Sequence, residues 1–143
     1  MTIKEELQEY ARQCLSGVII SGKKHKWACR RFLEDCKKEE AALSLKEPWP
    51  YIWNEEEANG IVEWFSLLRH SKGDLGQPIV LTVWQKFNLC QLYGWRERAT
   101  GYKRFRQSFI EVGRKNAKSQ MEAGVALYEI SVWSTRNQEN YEY

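Results

Sequence analysis

The chain has no apolar run approaching the ~20 residues that cross a bilayer. Its first residues, Met1-Thr2-Ile3-Lys4-Glu5-Glu6, carry no apolar core of the kind a secretion signal needs. A soluble protein with reduced thiols in a cytoplasm is therefore expected. The cysteines, Cys14, Cys29, Cys36 and Cys90, form no CxxC pair, and His25 and His70 stand at no zinc-finger spacing from them, so no structural metal is expected. Strong charge of one sign is also missing, since a formal net charge of +3 is too small to argue for nucleic-acid binding by itself. Internal repeats and low-complexity tracts are absent.

What is present is enough to fold. Hydrophobic residues make up 43% of the 143, and 7 tryptophans supply the large apolar area that a disordered chain lacks. Leu7, Tyr10, Ala11, Cys14 and Leu15 recur at helical spacing ahead of Gly17, predicting a first helix that stops there. A second is predicted from about Lys24 to Leu43, with Trp27, Ala28, Phe32, Leu33 and Cys36 on its packing side and Arg30, Lys37 and Glu40 elsewhere. Pro48-Trp49-Pro50-Tyr51 reads as a connector, because each proline lacks an amide donor and pushes its predecessor toward extended geometry. A third helix opens with Asn54 as N-cap and Glu55, Glu56 and Glu57 at the positive end of its dipole, and buries Ala58, Ile61, Val62, Phe65 and Leu68.

Gly73, Gly76 and Pro78 punctuate a loop. Thr82 then caps a helix carrying Trp84, Phe87 and Leu92, which runs to about Tyr93 and is stopped by Gly94. Phe105 to Val112, rich in aromatic and branched residues, reads as the first convincing strand. A loop and a helix with Met121, Val125 and Tyr128 follow, and residues 138–143 read as the start of a further strand.

The order strand, Gly113-Arg114-Lys115-Asn116-Ala117-Lys118-Ser119, helix is chemically pointed. A tight loop at a helix N-terminus aims several amides at one spot, where the helix dipole also favours an anion. Lys118 is positioned to reach outer phosphates and the Ser119 hydroxyl to hold a magnesium ion. Against the pattern GxxxxGK[ST], Val112 stands at the first glycine and Ala117 at the second. By pattern alone, a basic loop followed by a serine in a first helical turn remains the competing reading.

The stretch FRQSFIEVGRKNAKS, residues 105–119, resembles the RRFR…RKNGKS segment of phage terminase large subunits. Other landmarks follow the same order: ACRRFLED at 28–35 resembles an early helix of that family, Gly76-Gln77-Pro78 with LTVWQKF at 81–87 resembles its GQPF…L..WQ.F element, and Tyr93-Gly94-Trp95 resembles its FGW. The similarity runs from about Cys14 to Tyr128. It implies a variant Walker A loop in which Arg114 is the characteristic arginine and Ala117 replaces the usual glycine. Alanine in the left-handed region would cost about 1 to 2 kcal/mol, whereas a loop that keeps φ negative there accommodates the methyl.

The resemblance further implies that Gln85 reads adenine, with its amide pairing donor and acceptor to a base edge. Thr82 and Gln85 also have capping-box spacing, so a bond from Gln85 back to the Thr82 amide is the competing role. From Arg96 to Lys118 there are eight basic residues (Arg96, Arg98, Lys103, Arg104, Arg106, Arg114, Lys115, Lys118) against Glu97 and Glu111, a local +6 that leaves −3 for the rest. That excess suits triphosphate and DNA phosphate alike, or forms a solvated basic surface. Arg104 and Arg106, two apart at a strand start, are expected to face the same side. Trp49, Tyr51, Trp53, Trp64, Trp84 and Trp95 are scattered rather than interleaved with basic residues, which favours core packing over a base-stacking surface.

Taken together, an α-rich chain with partial α/β character is expected. Residues 1–75 form a helical N-terminal region, and 76–143 begin a truncated P-loop ATPase domain with its first strand-loop-helix unit. The length is short for a complete enzyme of that type. The resemblance implies part of an ATP-driven motor that packages double-stranded DNA into procapsids in the host cytoplasm, with ATP and Mg2+ as cofactors. Gly113, Arg114, Lys115, Asn116, Ala117, Lys118, Ser119 and Gln85 would hold the nucleotide, Ser119 the metal, and Arg114 and Lys118 would serve catalysis. Portal protein, small terminase subunit and further copies in a ring are the implied partners. The family's Walker B and nuclease carboxylates have no counterpart in these 143 residues, since Glu139 and Glu142 lie in no suitable apolar context. Weak ATP binding without turnover is expected of the chain alone. The alternative is a remnant of a truncated or split gene that acts as a non-catalytic interaction module.

Overall fold

Thr2 opens the first helix, α1 (Ile3–Ser16). Its hydroxyl accepts from the Glu5 amide at 3.1 Å while the Glu5 carboxylate accepts from the Thr2 amide at 2.8 Å, a reciprocal cap for two orphan donors. Leu7, Tyr10, Ala11 and Cys14 are buried as their spacing predicts, and Gly17 ends the helix at φ 87°. Helix α2 (Lys23–Leu45) follows, with Cys29, Phe32, Asp35, Cys36, Glu39 and Ala42 inside. Trp27, expected on that face, is 53% exposed. At about 100° per residue it sits roughly 200° around the helix from Cys29, and it lies instead under the Lys23 ammonium, 5.2 Å from the ring centre.

This computed structural model describes residues 1–133, which fall into two units. The first holds Met1–Val62 and Leu81–Gln107; the second holds Glu63–Val80 and the described residues from Ser108 onward. The expected strand at 138–143 lies outside the described residues. Among the described residues no helix is long and apolar enough to cross a membrane.

In the first unit, the stretch read as a connector continues into a strand. β1 (Tyr51–Trp53) pairs antiparallel with β2 (Trp95–Glu97), with Trp53 opposite Trp95. The Glu39 carboxylate accepts from the Trp53 amide at 2.7 Å and pairs with Lys4, so a buried acid of α2 fixes both the strand and α1. Helix α3 (Glu55–Leu67) is capped by Asn54, whose Oδ1 accepts from the Glu57 amide at 3.0 Å. Glu55 also accepts from the amides of Ile3 and Lys4 and from the Trp53 indole.

Helix α4 (Val83–Gly94) buries Phe87, Leu89, Cys90 and Tyr93. The helix ends at Gly94 as expected, but without a left-handed turn. The chain runs on directly into β2 with Trp95 at φ −78°, and a Cβ on Gly94 would lie 2.7 Å from the Trp53 ring. The glycine is there for close approach. Phe32, Trp53 and Trp95 meet edge to face at centroid distances of 5.4 to 6.3 Å, which makes the aromatics packing elements as expected.

The second unit contains the C-terminal end of α3, a loop whose Arg69 bridges to Pro78, and α5 (Lys118–Tyr128), which passes into a π-helical turn, Glu129–Trp133. Gly124 lets α5 approach Phe65, since a Cβ there would meet its ring at 2.4 Å, and the Gly124 carbonyl accepts from the Trp64 indole at 3.0 Å. Met121 and Tyr128 are buried as expected.

The strand expected at Phe105 to Val112 does not form a ladder among the described residues. Arg106 to Phe109 are exposed in succession, Phe109 by 83%, so the alternation of a half-buried strand is missing. An extended segment with no paired neighbour has nothing to satisfy its backbone except water. Among the described residues the architecture is helix-rich with one small two-stranded sheet.

Candidate functional site

The loop from Gly113 to Ser119 lies in the second unit, exposed throughout, and delivers the chain into α5. Its backbone is unusual for its sequence: Lys115 has φ 65° and Ala117 has φ 55°, ψ 24°, two left-handed residues flanking Asn116. The Asn116 amide donates to the carbonyls of Gly113 at 2.9 Å and Arg114 at 3.3 Å, pulling the loop into a tight curl. Alternating left-handed residues are the backbone pattern from which anion-binding nests are built.

The start of α5 adds to this. Ala117 occupies the N-cap position and offers no side-chain acceptor, so the first-turn amides are not capped from within, and no acidic residue stands in that turn. Lys118 is the first helical residue and Ser119 the second, while Arg114 and Lys115 precede them on the loop. First-turn amides without a side-chain cap, the positive end of a helix dipole and three cations lie along one exposed segment. The donor set fits a polyphosphate: amides and cations for its oxygens, and a hydroxyl beside them as a ligand for a divalent ion. Gly113, Arg114, Lys115, Asn116, Ala117, Lys118 and Ser119 are thus contiguous parts of one curl.

Gln85 lies in the first unit, in the first turn of α4, and is buried. Its Oε1 accepts from the Thr82 amide at 2.9 Å and from the Thr82 hydroxyl at 3.1 Å, so the capping role is realised.

The basic stretch separates into two classes. Arg96 and Arg104 turn into the first unit. Arg96 donates to the carbonyls of Tyr93 and Gly101 at 2.9 Å and lies 3.7 Å from Glu57. Arg104 donates to Asp35 at 2.8 Å, with its guanidinium 4.3 Å from the Tyr51 ring centre, 4.7 Å from Phe105 and 5.4 Å from Trp49. These arginines are structural. Arg106 is exposed, so the expectation that Arg104 and Arg106 face the same way fails with the strand that carried it. Sequence reasoning missed Asp35 and Glu57 as their partners; the only signal was an acid on the apolar side of α2.

Residues 83–141 match the family model described as terminase large subunit, ATPase domain. That stretch is similar to this family. The match takes in α4, β2, the curled loop and α5, and begins just after the Gly76-Gln77-Pro78 landmark. No curated protein and no solved structure matches the chain. An ATPase-domain family implies nucleotide binding, and the likeness points in that direction.

Proposed function

We propose that this chain supplies the nucleotide-holding segment of a terminase large subunit, the ATP-driven motor that packages double-stranded DNA into procapsids. The single observation that carries the reading is the left-handed curl at Lys115 and Ala117 feeding an uncapped, cation-flanked helix inside the terminase match. Amides from Gly113 to Ala117 cradle the triphosphate, Lys118 neutralises the outer phosphates, and Ser119 ligates Mg2+. Arg114 places a second cation where charge develops during phosphoryl transfer. Bound ATP supplies the phosphoanhydride; these residues bind and orient it. The assignment of Gln85 to adenine has less support, because its carbonyl oxygen already serves Thr82. Portal protein, small terminase subunit and ring neighbours are the partners that this function calls for, in the host cytoplasm.

The test is nucleotide titration of the 143-residue chain and its Lys118→Ala variant. A charge-assisted contact of about 1.5 to 3 kcal/mol predicts roughly a 10- to 150-fold loss of ATP affinity. Equal affinity in the two proteins refutes the assignment.

A further inference from the structure

Within the first unit, α1 and α2 bring together three side chains that their sequence spacing gives no reason to group. The ligand atoms of Cys14, His25 and Cys29 all lie within 4.8 Å of one another. Cys14 and Cys29 are fully buried, and His25 is half-buried at the edge of the cluster. His25 and Cys29 are four residues apart on α2, which places them on one helical face, and Cys14 comes from the buried side of α1. The Tyr10 hydroxyl lies 2.9 Å from His25 Nε2, and the imidazole meets the rings of Tyr10 and Phe87 edge to face.

We propose that Cys14, His25 and Cys29 form a binding site for a thiophilic divalent cation, with zinc as the natural occupant. Two thiolates and an imidazole are the donor types zinc prefers, at about 2.3 Å for sulfur and 2.0 to 2.1 Å for nitrogen. Tetrahedral bonds of that length separate neighbouring ligand atoms by roughly 3.5 to 3.8 Å. Closing the observed spacing requires a contraction of about 1 Å, within reach of small side-chain rotations. Three protein ligands leave a fourth position for water. Because the Tyr10 hydroxyl engages Nε2, the metal would be bound through Nδ1, with the tyrosine orienting the imidazole as an outer-shell partner does at metal-bound histidines. Such a site would staple α1 to α2, independently of the nucleotide loop.

The experiment uses the whole chain, stripped with a chelator under reducing conditions and titrated with Co2+ as an optical probe, then with Zn2+ in competition. One equivalent of Co2+ should give tetrahedral ligand-field bands with thiolate charge transfer, displaced by zinc. Cys29→Ser should lose more than the roughly 10- to 100-fold of affinity that removal of an outer-shell partner costs, and Tyr10→Phe should fall in that smaller range. Cys90→Ser, which removes a buried thiol elsewhere, should bind as wild type. If Cys29→Ser does not fold, the wild-type chain decides: zinc should raise its thermal midpoint above that in chelator. Failure to take up Co2+ with a thiolate signature, wild-type affinity in folded Cys29→Ser, an unmoved thermal midpoint, or a Cys14–Cys29 disulfide in the reduced preparation each overturn the site.

Discussion

Replacing Ala117 with glycine should make the protein more stable, although glycine inside a helix weakens it. Ala117 sits at φ 55°, ψ 24°, where the Cβ of an L-residue crowds the following carbonyl at a cost of about 1 to 2 kcal/mol. Glycine removes that cost but returns about 0.4 to 1 kcal/mol through the greater freedom of its unfolded chain. The net gain is therefore about 0 to 1.6 kcal/mol, centred near 0.8 kcal/mol. Because the strain is local to the entry of α5, the readout should be local too. Amide hydrogen exchange of Lys118 to Tyr128 should slow by several-fold, a gain of 1 kcal/mol corresponding to about fivefold. Ala117→Val should move the other way, since a branched side chain at positive φ is a genuine outlier. Faster exchange in Ala117→Gly would refute the strained curl. ATP affinity separates a second effect: a tenfold gain, about 1.4 kcal/mol, would mean that the methyl also crowds the phosphates.

Gly94→Ala should destabilise the first unit despite the better helix propensity of alanine. Its Cβ would press on the Trp53 ring at 2.7 Å; overpacking of about 1 to 3 kcal/mol outweighs a propensity gain of at most about 1 kcal/mol, read as a lower urea midpoint. Asp35→Ala should cost about 3 to 5 kcal/mol, because it leaves the Arg104 guanidinium without its carboxylate inside an aromatic cage; a loss below 1 kcal/mol would show that the pair is solvated. Burial pushes the Cys36 thiol up to about 11 and Cys90 to about 12, from an ordinary value of 9.0. Both should resist alkylation at pH 8 until the chain unfolds. The unfolded thiols ionise first, so their contribution to stability is complete below pH 9 and is lost as pH climbs from about 9 toward 12; flat stability across that range would contradict their burial.

The helices were legible because their causes are local. Thr2 and Glu5, Asn54 and Glu57, and Thr82 and Gln85 are each three residues apart, and the spacing of Leu7, Tyr10, Ala11 and Cys14 already encodes a buried face. Phe105 to Val112 shows the limit of the same reasoning. Branched and aromatic residues favour a pleated surface, but a strand exists only when another strand accepts its bonds, and composition does not report that partner. Tyr51 to Trp53 is the converse: a segment disguised by two prolines becomes a strand because Trp95 to Glu97 returns beside it.

The basic stretch was misread in part for a related reason. Summing charges along Arg96 to Lys118 treats every cation as available, yet Arg104 meets an acid 69 residues away and Arg96 one 39 residues away. Burial sorts them: the arginines that close the two-stranded sheet are neutralised inside, and the cations of the loop stay in solvent. The shape of the loop was not legible in the sequence. An alanine gives no sign of positive φ, because its own preference opposes it; the conformation is imposed by position, between the Asn116 clasp and the first turn of α5. A residue held against its preference marks where the surrounding structure, rather than local propensity, sets the geometry. In this chain that place coincides with the amides proposed to hold the triphosphate, so Ala117→Gly tests both the strain of the curl and the proposed phosphate contacts.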